Sequence, residues 1–120
     1  EGLKKFLRAY LACVAFMDDQ VGKVLNALEN SIFSENTIVI LTSDHGWQMG
    51  QKEYLYKNSP WEESTRIPLI IKLPQKRIGE VFEPVSLIDI YPTLIDLCKL
   101  NKSNSKSNLE LDGNSLFTLI

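Results

Sequence analysis

A chain of 120 residues fits one domain or part of one, and a 44% hydrophobic content predicts a sizeable core. Thirteen basic residues against fifteen acidic ones give a net charge of −2 with no basic stripe, which argues against nucleic acid as a partner. Cys13 and Cys98 form no C-x-x-C pair, so neither a zinc knuckle nor a disulfide scaffold is expected, and both read as small buried apolar side chains.

From Leu3 the apolar residues recur as Phe6, Leu7, Tyr10, Val14, Met17, Val21, Val24, Leu25 and Leu28, a helical stripe that Asn30-Ser31 ends. Arg8, Asp18, Asp19 and Lys23 interrupt it, so no transmembrane span is expected. Gly22 reads as a point of close approach to a neighbour, and Asp18 and Asp19 as exposed or capping residues. Thr37 to Leu41 is apolar or β-branched without alternation, the pattern of a strand covered on both faces in a parallel sheet flanked by helices. Helix followed by buried strand makes an α/β unit.

Trp47 to Thr65 shows no period and holds Gly50, Pro60 and several aromatic residues; a loop of that length inside a domain is usually functional. Ile67 to Leu73 reads as a second strand, with Pro68 tolerated at its start or on an edge. Pro74 to Glu83 is a polar turn or hairpin region, Ser86 to Asp89 an N-terminal capping turn, and Pro92 the first position of a helix reaching Leu100. Asn101 to Asn108 reads as a solvated loop, after which Leu109 to Ile120 is apolar again through a turn at Asp112-Gly113. A start at Glu1 without Met and an end at an apolar residue suggest a piece of a longer protein.

The chemistry concentrates where the first strand runs into Ser43-Asp44-His45-Gly46. Ligands of open α/β sheets collect at the carboxyl ends of strands, and His45 is the single histidine. Asp44 offers hard oxygen ligands and His45 a borderline nitrogen, a pair compatible with calcium, magnesium, manganese or zinc. The same pair also suits a turn cap with a local histidine hydrogen bond. Lys57, in a loop with Tyr54, Tyr56 and Trp61, suits a phosphate or sulfate group as a point charge, or else is a solvated surface lysine. Glu62, Glu63 and Arg66 read as an ion-pair cluster at the loop base.

Thr42-Ser43-Asp44-His45-Gly46-Trp47, followed by Met49-Gly50, Lys57, Trp61-Glu62-Glu63-Ser64-Thr65-Arg66 and Ile67-Pro68-Leu69-Ile70, closely resembles the sulfatase family within the alkaline phosphatase superfamily. Upstream, Tyr10 to Asp18 with Gly22 and Leu25 resembles the helix before the family's metal-binding strand. Downstream, Ser86 to Leu94 and Asp112 to Leu116 resemble its closing helix and the segment after it. The resemblance implies an alkaline phosphatase-like three-layer α/β/α sandwich, present as a fragment. It implies metal ligands at Asp44 and His45, with calcium the usual ion and magnesium or manganese possible, and a sulfate-contacting lysine at Lys57, with a spacing like that of the iduronate sulfatase-like branch.

The family's nucleophile, a Cys or Ser in a C/S-x-P-x-R context oxidised to formylglycine, has no counterpart here, since neither Cys13 nor Cys98 stands in that context. Its first pair of metal-binding aspartates is also absent. Residues 1–120 are therefore expected to form the C-terminal portion of a sulfatase catalytic domain, inactive alone, whose complete protein acts on a sulfated small molecule or sulfated glycan. Family resemblance implies a periplasmic, secreted or lysosomal location. The rival expectations are a phosphonate or phosphodiester hydrolase of the same superfamily and a non-catalytic accessory module of the same fold.

Overall fold

The computed structural model describes residues 1–74, 78–100 and 110–120. The chain forms two compact units, Glu1–Lys76 and Arg77–Ile120. In the first, the apolar stripe produces α1 (Gly2–Glu29), whose 28 residues extend about 42 Å at 1.5 Å per residue. Asn30 ends it: its backbone N–H and its side-chain amide both donate to the Asn26 carbonyl, at 3.1 and 2.8 Å. The chain then reaches β1 (Val39–Thr42), which pairs with β4 (Leu69–Lys72) in the register Val39↔Lys72 to Thr42↔Leu69. Between them lie a short hairpin of β2 (Gln48–Met49) and β3 (Leu55–Tyr56) and the single turn α2 (Glu62–Thr65).

The β1–β4 pair is antiparallel, where the unalternating apolar pattern predicted a parallel arrangement. That pattern reports only that neither strand face is polar, and it carries no information on the direction of the partner. Nor is β1 covered on both faces: Val39 and Ile40 are half-buried while Leu41 and Thr42 are exposed. The apolar residues Met17, Val21, Val24 and Leu25 of α1 and Val39, Ile40, Leu41 and Ile70 of the strands line an open groove of about 440 Å³. Gly22 has nothing within 4 Å of where its Cβ would stand, so the close neighbour expected there is not among the described residues.

In the second unit a 3-10 turn, Leu87–Asp89, runs directly into α3 (Ile90–Leu97). The expected capping turn is present as a full capping box: the Ser86 side chain accepts from the Asp89 backbone, and Asp89 Oδ2 accepts from the Ser86 N–H at 2.8 Å. Pro92 sits inside the helical run rather than at its first position, because the 3-10 turn starts the helix earlier. A proline there leaves the Ile88 carbonyl without an N–H four residues on, and the Gly113 backbone packs so close to that carbonyl that a Cβ would collide with it. Asp89 Oδ1 accepts from the Asn114 N–H, and Thr93 Oγ1 donates to the Asp89 carbonyl at 2.6 Å while accepting from the Leu116 N–H at 2.8 Å. These bonds fasten the segment after Gly113 to the start of α3.

Of the apolar side chains described, only Ile95, Leu116 and the proline Pro92 are buried, far less than the composition predicted. The apolar faces of α1 and of the β1–β4 pair are present but stay open. Cys13 and Cys98 are likewise exposed rather than buried, Cys13 on uncovered α1 and Cys98 at the end of α3. Gln75, Lys76 and Arg77 of the expected polar turn and the expected loop 101–108 lie outside the described residues. No helix among the described residues is long and apolar enough to cross a membrane.

Candidate functional site

Ser43, Asp44 and His45 leave the carboxyl end of β1, and local hydrogen bonds set the orientation of each side chain. Asp44 Oδ1 accepts from the His45 backbone N–H at 3.0 Å, which leaves Oδ2 free on a carboxylate that is 83% exposed. Ser43 Oγ donates to the His45 carbonyl at 2.8 Å. The His45 ring places Nδ1 2.8 Å from the Gly46 carbonyl, an atom that can only accept, so Nδ1 carries the proton. The Lys57 ammonium, a pure donor, stands 2.8 Å from Nε2. Both contacts together fix one tautomer: neutral imidazole, Nδ1–H to backbone and a lone pair on Nε2. Asp44 Oδ2 lies 3.4 Å from that same Nε2, too long and too poor in protons to be a direct bond in this state. His45 Nε2 therefore has two such neighbours, the cationic Lys57 Nζ at 2.8 Å and the carboxylate oxygen Asp44 Oδ2 at 3.4 Å.

The local bonding expected of a turn cap and a satisfied histidine is thus present, yet it occupies only Oδ1 and Nδ1. Of the two atoms left over, His45 Nε2 meets Lys57 Nζ at 2.8 Å, and Asp44 Oδ2 lies 3.4 Å from Nε2. This is the arrangement by which metal-binding histidines are oriented, one ring nitrogen held by a backbone carbonyl and the other presented. Among the described residues no group of three or more His, Cys, Asp or Glu side chains stands ready to hold an ion.

Gly46 brings the strand end close to α2. Its N–H donates to the Ser64 carbonyl at 2.8 Å, and a Cβ on Gly46 would collide with the Glu63 carbonyl, so no larger residue fits without a backbone shift. Trp47 then forms the centre of an aromatic cluster. Tyr10 of α1 stacks on it at 6.0 Å between centroids, Tyr56 meets it edge-on at 5.7 Å, and Phe6 meets Tyr56 edge-on at 6.0 Å. The His45 ring lies 6.3 Å from the Trp47 ring. Such pairs contribute about 0.5–1.5 kcal/mol each beyond their buried area, which ties α1 to the hairpin beneath the site. Tyr56, the residue before Lys57, has a φ of 78°, a left-handed backbone that is rare for a bulky side chain. The expected ion-pair cluster reduces to Arg66 with Glu62 at 2.9 Å, and Asp19 pairs with Lys23 at 2.6 Å on the exposed face of α1.

Sequence reasoning brought out Asp44, His45 and Lys57, which the fold unites, and the aromatic content of the loop, though not its partners on α1. It missed Gln48, which is fully buried with its Oε1 accepting from Ser59 at 2.6 Å, and Ser64, which is 4% exposed. A glutamine in an aperiodic stretch carries no burial signal. The fold and site together define an α/β chain with a carboxylate, an imidazole and an ammonium gathered at a strand end.

A family model described as Sulfatase matches residues 2–100, and the chain belongs to the sulfatase family. It is 45% identical over 98 residues to a sulfatase of Formosa agariphila, an alignment covering 81% of this chain and 19% of that protein. It is 37% identical to arylsulfatase K of Danio rerio over 121 residues, covering 100% of this chain and 22% of the relative. Against iduronate 2-sulfatase of Mus musculus the identity is 41% over 71 residues, covering 59% of this chain and 13% of the relative. The chain spans about a fifth of the length of the first two of these relatives.

Proposed function

We propose that residues 1–120 form the C-terminal portion of the catalytic domain of a metal-dependent sulfuric ester hydrolase, a three-layer α/β/α sandwich in the complete protein. Asp44 and His45 hold the divalent metal, calcium in first place with magnesium or manganese as alternatives, and Lys57 binds the sulfate group. The observation that carries this reading is that His45 Nε2 has Lys57 Nζ at 2.8 Å and Asp44 Oδ2 at 3.4 Å, with the imidazole tautomer set by the Gly46 carbonyl. The hydrolysed ester belongs to a sulfated small molecule or glycan, and the formylglycine nucleophile stands outside this chain.

The donor set fits the metal. One hard carboxylate oxygen and one imidazole nitrogen are suitable ligands for a divalent ion, and each is already oriented by a bond through its other atom. When bound, the metal supplies Lewis-acid stabilisation of the negative charge on the transferring group. The Lys57 ammonium, 2.8 Å from His45 Nε2, would meet an anion bound at this site, and a compact cation beside a sulfuryl group is most strongly attracted when the ester oxygen departs with its charge. The open apolar faces of α1 and β1–β4, on a chain that covers about a fifth of its relatives' length, support the reading of a piece that packs against further sheet and helix.

The test is a comparison of substrate classes with the full-length protein: aryl sulfate and sulfated sugars against the matching phosphate monoester, phosphodiester and phosphonate, with and without a metal chelator. Sulfate-ester turnover that exceeds every phosphorus ester and is lost with chelator is the expected result. Preference for a phosphorus ester would replace the sulfatase reading with the phosphohydrolase one. No turnover of any ester would favour the accessory module.

A further inference from the structure

The loop that carries Lys57 is joined to the strand end that carries His45 by a closed circuit of hydrogen bonds. The Ser59 N–H donates to the Lys57 carbonyl at 2.8 Å. Ser59 Oγ donates to Gln48 Oε1 at 2.6 Å and lies 2.8 Å from Ser64 Oγ; since a hydroxyl has one proton to give, Ser64 is the donor in that second bond. The Ser64 carbonyl accepts from Gly46, the Gly46 carbonyl accepts from His45 Nδ1, and His45 Nε2 accepts from Lys57 Nζ, which closes the ring. Gln48 is fully buried and Ser64 nearly so, so water competes little for the bonds at the centre.

Lys57 itself is exposed, on a long side chain that nothing else described restrains. On one side of it Tyr56 keeps a left-handed backbone, a conformation rare for a bulky side chain that persists only where the surroundings impose it. On the other side Ser59 is the residue whose side chain reaches the buried network. We infer that Ser59 is a positioning residue: its hydroxyl, gripped by Gln48 and Ser64, holds the backbone of Lys57 at the distance that lets the ammonium reach His45 and the anion bound there. The inference rests on Lys57 being the sulfate-binding group.

The experiment is a double-mutant cycle in the full-length protein on its best sulfate ester, with Ser59→Ala, Lys57→Ala and the pair. Ser59→Ala is expected to lower kcat by about tenfold to a hundredfold with a smaller change in KM, because misplacing a catalytic group by about 1 Å carries a cost of that order. In the Lys57→Ala background the same change should add less than about twofold, since the group it positions is gone. Equal losses in both backgrounds would mean that Ser59 only supports the fold, and would overturn the proposal. Ser59→Thr and Ser59→Val, equal in shape and different in the hydroxyl, provide the check if the alanine variant folds poorly. Thr should retain activity and Val should not, and equal activity of the two would also overturn it. A Lys57→Ala enzyme as active as the wild type would instead refute the role of Lys57, a result distinct from either failure of Ser59.

Discussion

Asp44, His45 and Lys57 could be singled out from the sequence because a strand's carboxyl end is a place that local pattern alone can locate, and a histidine with an adjacent carboxylate is rare enough to stand out there. What their environment does to them is set by contacts that sequence order does not reveal. The imidazole tautomer depends on the Gly46 carbonyl, and the reach of Lys57 on a left-handed Tyr56 held between Phe6 and Trp47. Both cysteines were misjudged for a related reason, since an apolar preference says where a residue is stable only if a neighbour exists to cover it. The role of Lys57 can be tested directly. Lys57→Ala should lower sulfate-ester kcat by about a hundredfold to a thousandfold, the usual cost of one preorganised charge-stabilising group. Its melting temperature should stay at the wild-type value, because the side chain is exposed. Lys57→Arg should recover only part of the activity, since a planar guanidinium places its charge differently from an ammonium. Steady-state kinetics with thermal melting check all three, and unchanged kcat in a folded alanine variant would reduce Lys57 to a surface charge.

Element identity was readable and element partnership was not. The 3.6-residue period gave α1 its span to within a residue or two, and the strands fell close to their predicted places. Direction was lost because a continuous apolar run suits a strand beside either a parallel or an antiparallel neighbour. At α3, the capping pattern was legible, but not the second task of Asp89, whose Oδ1 holds the Asn114 N–H from far along the chain. Asp89→Ala removes both the capping box and that tie, and should destabilise the unit by roughly 2–4 kcal/mol, the sum of a lost cap and a lost charge-assisted bond. Asp89→Asn should cost less, because one acceptor oxygen survives while the new amide faces an N–H. Chemical denaturation of the two variants gives the ordering, and equal stability of wild type and Asp89→Ala would show that these bonds carry no net stability.

At the scale of the whole molecule, composition promised a core that the described residues do not close. An apolar fraction measures what a chain is able to bury, while the area actually buried depends on the layers available to stack against it. Here α1 and the β1–β4 pair face an open groove, and the candidate metal pair supplies two donors of the roughly six to eight that calcium takes. The 120-residue chain by itself should accordingly bind divalent ions only weakly, with a dissociation constant on the order of millimolar. The decisive measurement is calorimetric titration of calcium, magnesium and manganese into the full-length protein, as wild type and as Asp44→Ala and His45→Ala. We expect one ion per chain for the wild type, with each substitution weakening its binding by about tenfold or more. Identical affinities for all three ions in wild type and both variants would contradict the assignment of Asp44 and His45 as metal ligands.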